Sequence, residues 1–155
     1  MEVLVWSDSH GHKDYVMRML DKEPECKNVF FLGDGLDEAL SVQKLYPDRK
    51  FYLVKGNNDR QYDAQDYAYA HIDGVTFMAC HGHRLSVDIT LRYLYDKAEA
   101  VRGHVALYGH THVANVRMDS MTGVCAINPG AMNDGKYCVV TVNKGDYTVK
   151  HKEIW

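Results

Sequence analysis

Gly109-His110-Thr111-His112 places two imidazoles one residue apart, directly after the apolar run Val105-Ala106-Leu107-Tyr108. Neutral imidazole is the commonest metal ligand among side chains that titrate near neutrality, and a tight turn after a strand lets both rings reach one small volume. Near the start of the chain, Val3-Leu4-Val5-Trp6-Ser7 runs into Asp8-Ser9-His10, a second strand ending on a second pair of ligand types at the same spacing. Taken alone, a His-x-His pair reads as two loop histidines. Two such pairs at strand ends read as parts of one metal centre.

The elements that would position these pairs follow from hydrophobic periodicity. Residues 3–7 form a short continuous apolar run, as a strand buried on both faces requires. Residues 13–21 carry Tyr15, Val16, Met19 and Leu20 at helical spacing, with Pro24 beyond the end. Residues 28–32 make the next strand, followed at once by Gly33-Asp34-Gly35. A helix with Leu36, Ala39, Leu40 and Leu45 inward then runs to Tyr46, where Pro47-Asp48 stops it. Residues 51–55 are a third strand, followed by Gly56-Asn57-Asn58-Asp59. This alternation implies parallel pairing through right-handed crossovers.

Beyond residue 66 the pattern changes. Residues 67–72 alternate with period two and put Tyr67 and Tyr69 on one face, which serves either as core or as an interface between two copies. Asp73-Gly74 is a two-residue hairpin signal, and residues 75–79 return as the antiparallel partner, ending at Cys80-His81-Gly82-His83. Residues 89–101 are the longest helical stretch, with Leu91, Leu94, Tyr95, Ala98 and Val101 on one side and Gly103 as its stop. Residues 113–118, 123–127, 137–142 and 147–151 read as strands. A parallel half and an antiparallel half, with no linker or repeat between them, predict one domain over residues 1–155. Its two mixed sheets pack face to face with helices outside.

Composition sets the bounds. A chain of 155 residues closes a real core, and 46% hydrophobic with 25% charged residues is ordinary for a globular protein. A net charge of −3 argues against non-specific nucleic-acid binding, which needs a basic face. Cys26, Cys80, Cys125 and Cys138 are widely spaced, and this reads as free thiols in a reducing compartment. The chain opens on a strand without a basic, apolar leader, and no apolar run approaches the roughly 18 residues of a membrane span. The expectation is a cytoplasmic protein. Nine histidines are more than a chain of this length usually carries, although His12, His71, His83, His104 and His151 can be incidental.

In this reading every strand around the cleft ends on a residue able to bind metal. Asp8 and His10 follow the first strand, Asp34 the second, Asn58 the third, His81 the hairpin strand, and His110 with His112 the next. Open α/β sheets gather function outside the carboxyl ends of their strands. The oxygen and nitrogen donors are too many for one tetrahedral zinc and suit two ions sharing a bridging carboxylate. Asp34 and Asp37 also fit simple first-turn acids of a helix.

Asp8-x-His10, Gly33-Asp34-x-x-Asp37, Gly56-Asn57-Asn58-Asp59, His81-Gly82-His83 and Gly109-His110-x-His112, in this order, resemble the motif set of the calcineurin-like metallophosphoesterases. More narrowly, the short chain, His81-Gly82-His83-Arg84 and Ile127-Asn128-Pro129-Gly130 resemble the small YfcE-type phosphodiesterases of bacteria and archaea. The resemblance extends from Val3 to about Gly130. It implies a four-layer α/β/β/α sandwich of two mixed β-sheets flanked by helices. It also implies one ion on Asp8, His10 and His112, another on Asn58, His81 and His110, and Asp34 bridging the two; Asp37 is not a ligand in the family. The implied activity is metal-dependent hydrolysis of a small organic or nucleotide phosphodiester, by in-line attack of a metal-bridging hydroxide. Two divalent ions outweigh Asp8, Asp34 and that hydroxide, so the site attracts an anionic phosphoester. Imidazole-rich sites suit manganese, iron, cobalt, nickel or zinc better than magnesium, and the resemblance favours manganese.

The chain departs from the wider superfamily at Asn57, where many members carry the histidine that protonates the leaving group. An amide does not deliver a proton by ordinary acid catalysis. Two expectations follow: acidic leaving groups are favoured, or His83 supplies the proton. Asp59 is expected to orient a ligand imidazole or Asn58. Arg60 and Arg84 flank the metal blocks as phosphate contacts or as solvated loop residues. His12 is expected near the first helix without binding metal. Asn128-Pro129-Gly130-Ala131 is expected as a rigid turn by the cleft, lacking the hydroxyl that the branch often carries at Ala131. Specificity is expected from loops 60–66 and 86–89. The competing readings are a phosphomonoesterase, which Asn57 weakens, and an interaction scaffold like the retromer subunit related to this family. The full complement of metal-binding residue types favours the enzyme.

Overall fold

The structure, a computed structural model, describes residues 1–61 and 63–155; Tyr62, within the expected specificity loop, lies outside the described residues. The chain forms β1 (Glu2–Trp6), α1 (Lys13–Lys22), β2 (Asn28–Phe31), α2 (Leu36–Gln43) and β3 (Lys50–Leu53). It continues through β4 (Tyr67–Ile72), β5 (Val75–Cys80), α3 (Arg92–Ala100), β6 (Val105–Leu107), β7 (Asn115–Met118), β8 (Cys125–Asn128), β9 (Lys136–Asn143) and β10 (Asp146–Glu153).

Two five-stranded mixed sheets result, ordered β10-β9-β1-β2-β3 and β4-β5-β6-β8-β7. The period-two alternation along β1 divides the chain's apolar surface between two layers. Val3 and Val5 point between the sheets, packing with Phe30, Leu32, Phe77, Leu107, Ile127 and Val140. Leu4 and Trp6 point the other way, against Met19 and Leu20 of α1 and Leu36, Ala39 and Val42 of α2. On the far side Leu94, Tyr95 and Ala98 of α3 cover Met78, Ala106 and Ala126. Helix, sheet, sheet and helix therefore stack as four layers, each fully buried aliphatic or aromatic side chain contributing about 1.5–3 kcal/mol.

The parallel register Leu4↔Val29 and Phe30↔Tyr52 aligns β1, β2 and β3 so that their carboxyl ends open on one edge. β5, β6 and β8 are parallel in the second sheet and open likewise. Both sheets are mixed, as expected: the first adds strands from the end of the chain to the parallel β1–β3, and the second sets antiparallel β4 and β7 on either side of parallel β5, β6 and β8. The β9–β10 hairpin returns to the first sheet, with β9 antiparallel to β1. Tyr137 to Val140 are buried, so β9 needs an inner position with cover on both faces.

Other boundaries differ for local reasons. α2 turns Leu36, Ala39 and Val42 inward and ends at Gln43, which leaves Leu40 and Leu45 exposed instead of buried. α3 starts at Arg92 instead of 89, because Thr90 Oγ1 accepts the Arg92 N–H at 3.1 Å and fixes the start there. Val101, expected on the inward side, is exposed, as is Ile89. Tyr67 is half-buried beneath Lys97 Nζ, 4.4 Å from its ring centre, whereas Tyr69 is exposed. The four cysteines are free and buried, and burial pushes the Cys26 and Cys80 thiols up to about 12. Among the described residues no helix is long and apolar enough to cross a membrane.

Candidate metal centre

The loops leaving β1, β2, β5 and β6 meet at the open edge. Asp8, His10, Asp34, His110 and His112 all adopt left-handed backbone, with φ of +56°, +43°, +61°, +69° and +64°. Non-glycine residues in this region cost of order 1–3 kcal/mol each and persist only where their surroundings over-determine them. Close approach explains one neighbouring glycine: a Cβ on Gly109 would stand 2.8 Å from Asp8 Oδ2.

Asp8 is fully buried. Its Oδ2 accepts from the Ser7 hydroxyl at 2.5 Å and from the His110 N–H at 3.2 Å. Its Oδ1 faces His112 Nε2 at 3.1 Å and His10 Nε2 at 3.5 Å, and those two imidazole nitrogens are 3.3 Å apart. Asp34 is also buried, accepting from the Asn58 backbone N–H on Oδ1 and from Asn58 Nδ2 on Oδ2, both at 2.9 Å. The amide's oxygen, Asn58 Oδ1, is the atom able to bind a metal.

His81 gives the arrangement its meaning. Its Nδ1–H donates to the Leu32 carbonyl at 2.7 Å, which fixes the tautomer and leaves the lone pair on Nε2. That nitrogen faces Asp34 Oδ2 at 3.4 Å, Asp8 Oδ1 at 4.0 Å and His110 Nδ1 at 3.2 Å. Acceptors facing acceptors in a buried site need a cation between them, a proton or a metal. With a proton as that cation the His81 pKa is raised: burial lowers it, but the Asp34 hydrogen bond and the charges of Asp8 and Asp34 outweigh burial. Asp34 is held below the usual carboxylate range, since the interactions with His81 and Asn58 outweigh the upward push of burial. Asp8, His10 and His112, and likewise Asp8, Asp34 and His81, each offer ligand atoms within 4.8 Å of one another. Buried carboxylate oxygen and imidazole nitrogen together form a donor set that fits a first-row divalent ion.

The other expected residues fall around this cluster. The His83 ring stands 5.4 Å from His81 and 6.3 Å from His110, with Nδ1 buried and without a hydrogen-bond partner among the described residues. Burial, then the charges of His81 and Arg84, lower its pKa. Asp59 does not reach for an imidazole. Its carboxylate accepts four backbone N–H groups, from Asp34 at 2.8 Å, Gly35 and Leu36 at 3.0 Å and Gly56 at 2.7 Å. It thus binds the strand-end loops to each other and caps α2. Asp37 accepts from Gln61 Nε2. Arg84 is exposed, 3.4 Å from Asp66, and Arg60 and Asn57 are exposed. His12 stacks on Tyr15 with ring centres 4.2 Å apart.

Asn128 does more than turn the chain. It is fully buried, its Nδ2 donates to the Gly109 carbonyl at 3.1 Å and to Thr111 Oγ1 at 3.0 Å, and its Oδ1 accepts the Gly130 N–H at 2.9 Å. It pins the turn that carries His110 and His112, a role that only tertiary contact reveals. Ser7, whose hydroxyl fixes Asp8, was hidden in the same way.

Comparison with known proteins places the whole chain. The chain is 27% identical over 158 residues to "Probable metallophosphoesterase YsnB" of Bacillus subtilis (strain 168), covering 97% of this chain and 89% of that protein. A conserved Streptococcus pneumoniae TIGR4 protein described as a predicted phosphoesterase superposes with a TM-score of 0.83 at 22% identity, over 99% of this chain and 89% of that one. A structure titled as a novel archaeal phosphodiesterase gives a TM-score of 0.71 at 22% identity, over 98% and 100% of the two chains. Zinc-complexed Vps29 of Entamoeba histolytica gives 0.75 at 16% identity, over 99% of each chain. These structural likenesses show the shared fold. Residues 1–145 match the calcineurin-like phosphoesterase superfamily domain, and the chain belongs to that superfamily.

Proposed function

We propose that this chain is a divalent-metal phosphodiesterase acting on a small organic or nucleotide phosphodiester, with manganese as its metal. The observation that carries the reading is the lone pair of His81 Nε2, aimed at Asp34 Oδ2 from 3.4 Å while the ring's proton is committed to Leu32. Asp8, His10 and His112 would hold one ion and Asn58, His81 and His110 the other, with Asp34 shared. Divalent ions bound there supply Lewis acidity toward the phosphoryl oxygens and a nucleophile at neutral pH.

The chain's own residues do the positioning. Ser7 and the His110 N–H hold Asp8 from one side, Asn58 holds Asp34 from the other, and Asn128 fixes the His110–His112 turn. Asn57 offers no proton to a departing alkoxide, so leaving groups that depart as stable anions suit the site. His83, on the rim of the cluster, would in its protonated form be the source of a proton for a more basic leaving oxygen.

The second reading, a scaffold that binds a protein partner, comes from the family resemblance; Vps29 shares the fold. The complete set of seven ligand-type residues supports the enzyme over it. Manganese-loaded protein offered bis(p-nitrophenyl) phosphate and p-nitrophenyl phosphate separates these readings. The proposal expects faster turnover of the diester. Faster turnover of the monoester overturns the diester assignment, and no turnover with manganese, iron, cobalt, nickel or zinc moves the weight to the scaffold.

A further inference from the structure

Asp8 is buried and held by side-chain and backbone partners, and the loop that follows it is tied by backbone bonds, from the His12 N–H to the Ser9 carbonyl at 2.9 Å and from the His10 N–H to the Asp34 carbonyl at 3.2 Å. The His10 side chain is about a third exposed, at 31%, and faces Asp8 and His112 from a loop at the rim. That backbone is left-handed at His10 and again at Gly11, where φ is +91°. His12, at the N-cap of α1, makes no side-chain cap hydrogen bond. The backbone bonds leave the Ser9 hydroxyl and the Gly11 N–H to be held from outside the loop.

Glu38, in the first turn of α2, holds both. Its Oε2 accepts the Ser9 hydroxyl at 2.9 Å and the Gly11 N–H at 3.1 Å, the two residues that bracket His10. Ser9 is fully buried, so its hydroxyl turns inward to meet this oxygen. Gly35 leaves the room: a Cβ there would strike Ser9 Oγ and stand 2.6 Å from Glu38 Oε2. α2 begins two residues after Asp34, so one carboxylate oxygen ties the loop carrying His10 to the element that follows Asp34. The alternative role, a first-turn acid favoured by the helix dipole, needs the charge but not this aim at Ser9 and Gly11.

We propose that Glu38 is a positioning residue of the metal centre, setting His10 against Asp8 and Asp34 by hydrogen bonding without itself binding metal. The inference rests on the metal reading above. It predicts an asymmetric effect, because His10 belongs to only one of the two ion sites.

Calorimetric titration of chelator-stripped protein with manganese tests this without reference to activity. Wild type is expected to bind two ions. Glu38→Ala is expected to weaken one of them by about 10–100-fold, as loss of an outer-sphere hydrogen bond does, and to leave the other unchanged. Glu38→Gln, which keeps an acceptor and loses the charge, restores wild-type affinity. Ser9→Ala, which removes one of the two bonds and serves if Glu38→Ala fails to fold, gives an intermediate loss. Wild-type affinity for both ions in Glu38→Ala, or in Ser9→Ala where that variant stands in, overturns the inference. A Glu38→Gln as weak as Glu38→Ala also overturns it in favour of a charge effect. A wild type that binds no divalent ion overturns the metal reading itself, and this inference with it.

Discussion

His81 Nε2 stands 3.4 Å from Asp34 Oδ2, and because the neutral ring's proton is bound to the Leu32 carbonyl at 2.7 Å, the two are joined only by a second proton or a metal ion. Without a cation between them, the pair and the buried Asp8 carboxylate stand uncompensated. A bound divalent ion removes that penalty from the folded state alone. At about 100 times its Kd, manganese is expected to add about 2.7 kcal/mol of stability, a rise in Tm of about 5–10 °C. Chelator is expected to reverse it. A melting curve indifferent to every divalent ion contradicts the donor-set argument.

Asp59 is the hub of the loops around Asp34, taking four backbone N–H groups on one carboxylate. Asp59→Ala strands these donors and removes the cap of α2, with an expected loss of about 2–3 kcal/mol in urea unfolding. Asp59→Asn is expected to lose less, since one amide oxygen still accepts. Equal stability of Asp59→Ala and wild type would show that water replaces the carboxylate without loss.

His83 separates substrates by leaving group. His83→Ala is expected to leave turnover of bis(p-nitrophenyl) phosphate near wild type, because nitrophenolate departs without a proton. Turnover of an alkyl diester is expected to fall about 10²-fold or more, the usual worth of a positioned acid. Unchanged alkyl turnover would assign His83 to the rim alone.

Asp119 contributes to the acid limb of stability. Its carboxylate takes two guanidinium donors of Arg92, at 3.2 and 2.8 Å, and the Thr122 hydroxyl at 2.6 Å. Arg92 first, then Thr122, hold it well below the usual carboxylate range. Between that low value and the unfolded pKa of about 3.9, the folded chain binds fewer protons than the unfolded one. The contribution is therefore full above about pH 5 and is lost as pH falls toward the folded pKa. Asp119→Asn is expected to melt lower than wild type at pH 7 and to converge with it in acid. A gap that stays constant down to pH 3 contradicts this.

The strands and the residue types at their ends were legible because local pattern determines them. A continuous apolar run such as Val3-Leu4-Val5 needs cover on both faces, and a polar residue after it marks the open edge. What stayed hidden depends on partners far along the chain. Whether β9 joins the first or the second sheet is decided by its pairing with β1, which periodicity does not carry. Leu40 and Leu45 share helical spacing with Leu36, and only the packing of α2 shows that Val42 faces inward in their place. Asp59 and Glu38 read as ordinary acids in sequence, because their partners are backbone N–H groups and a serine hydroxyl brought together by the fold. The left-handed backbone at Asp8, His10, Asp34, His110 and His112 has no signature in residue type, apart from glycines near some of these positions.

Turnover of bis(p-nitrophenyl) phosphate by chelator-stripped protein given manganese, with Asp34→Asn measured in parallel, tests the central claim most directly. The account predicts that the stripped wild type is inactive, that manganese restores turnover, and that folded Asp34→Asn stays at the metal-free level. Turnover by Asp34→Asn at the wild-type rate, or by wild type in the presence of chelator, would contradict it.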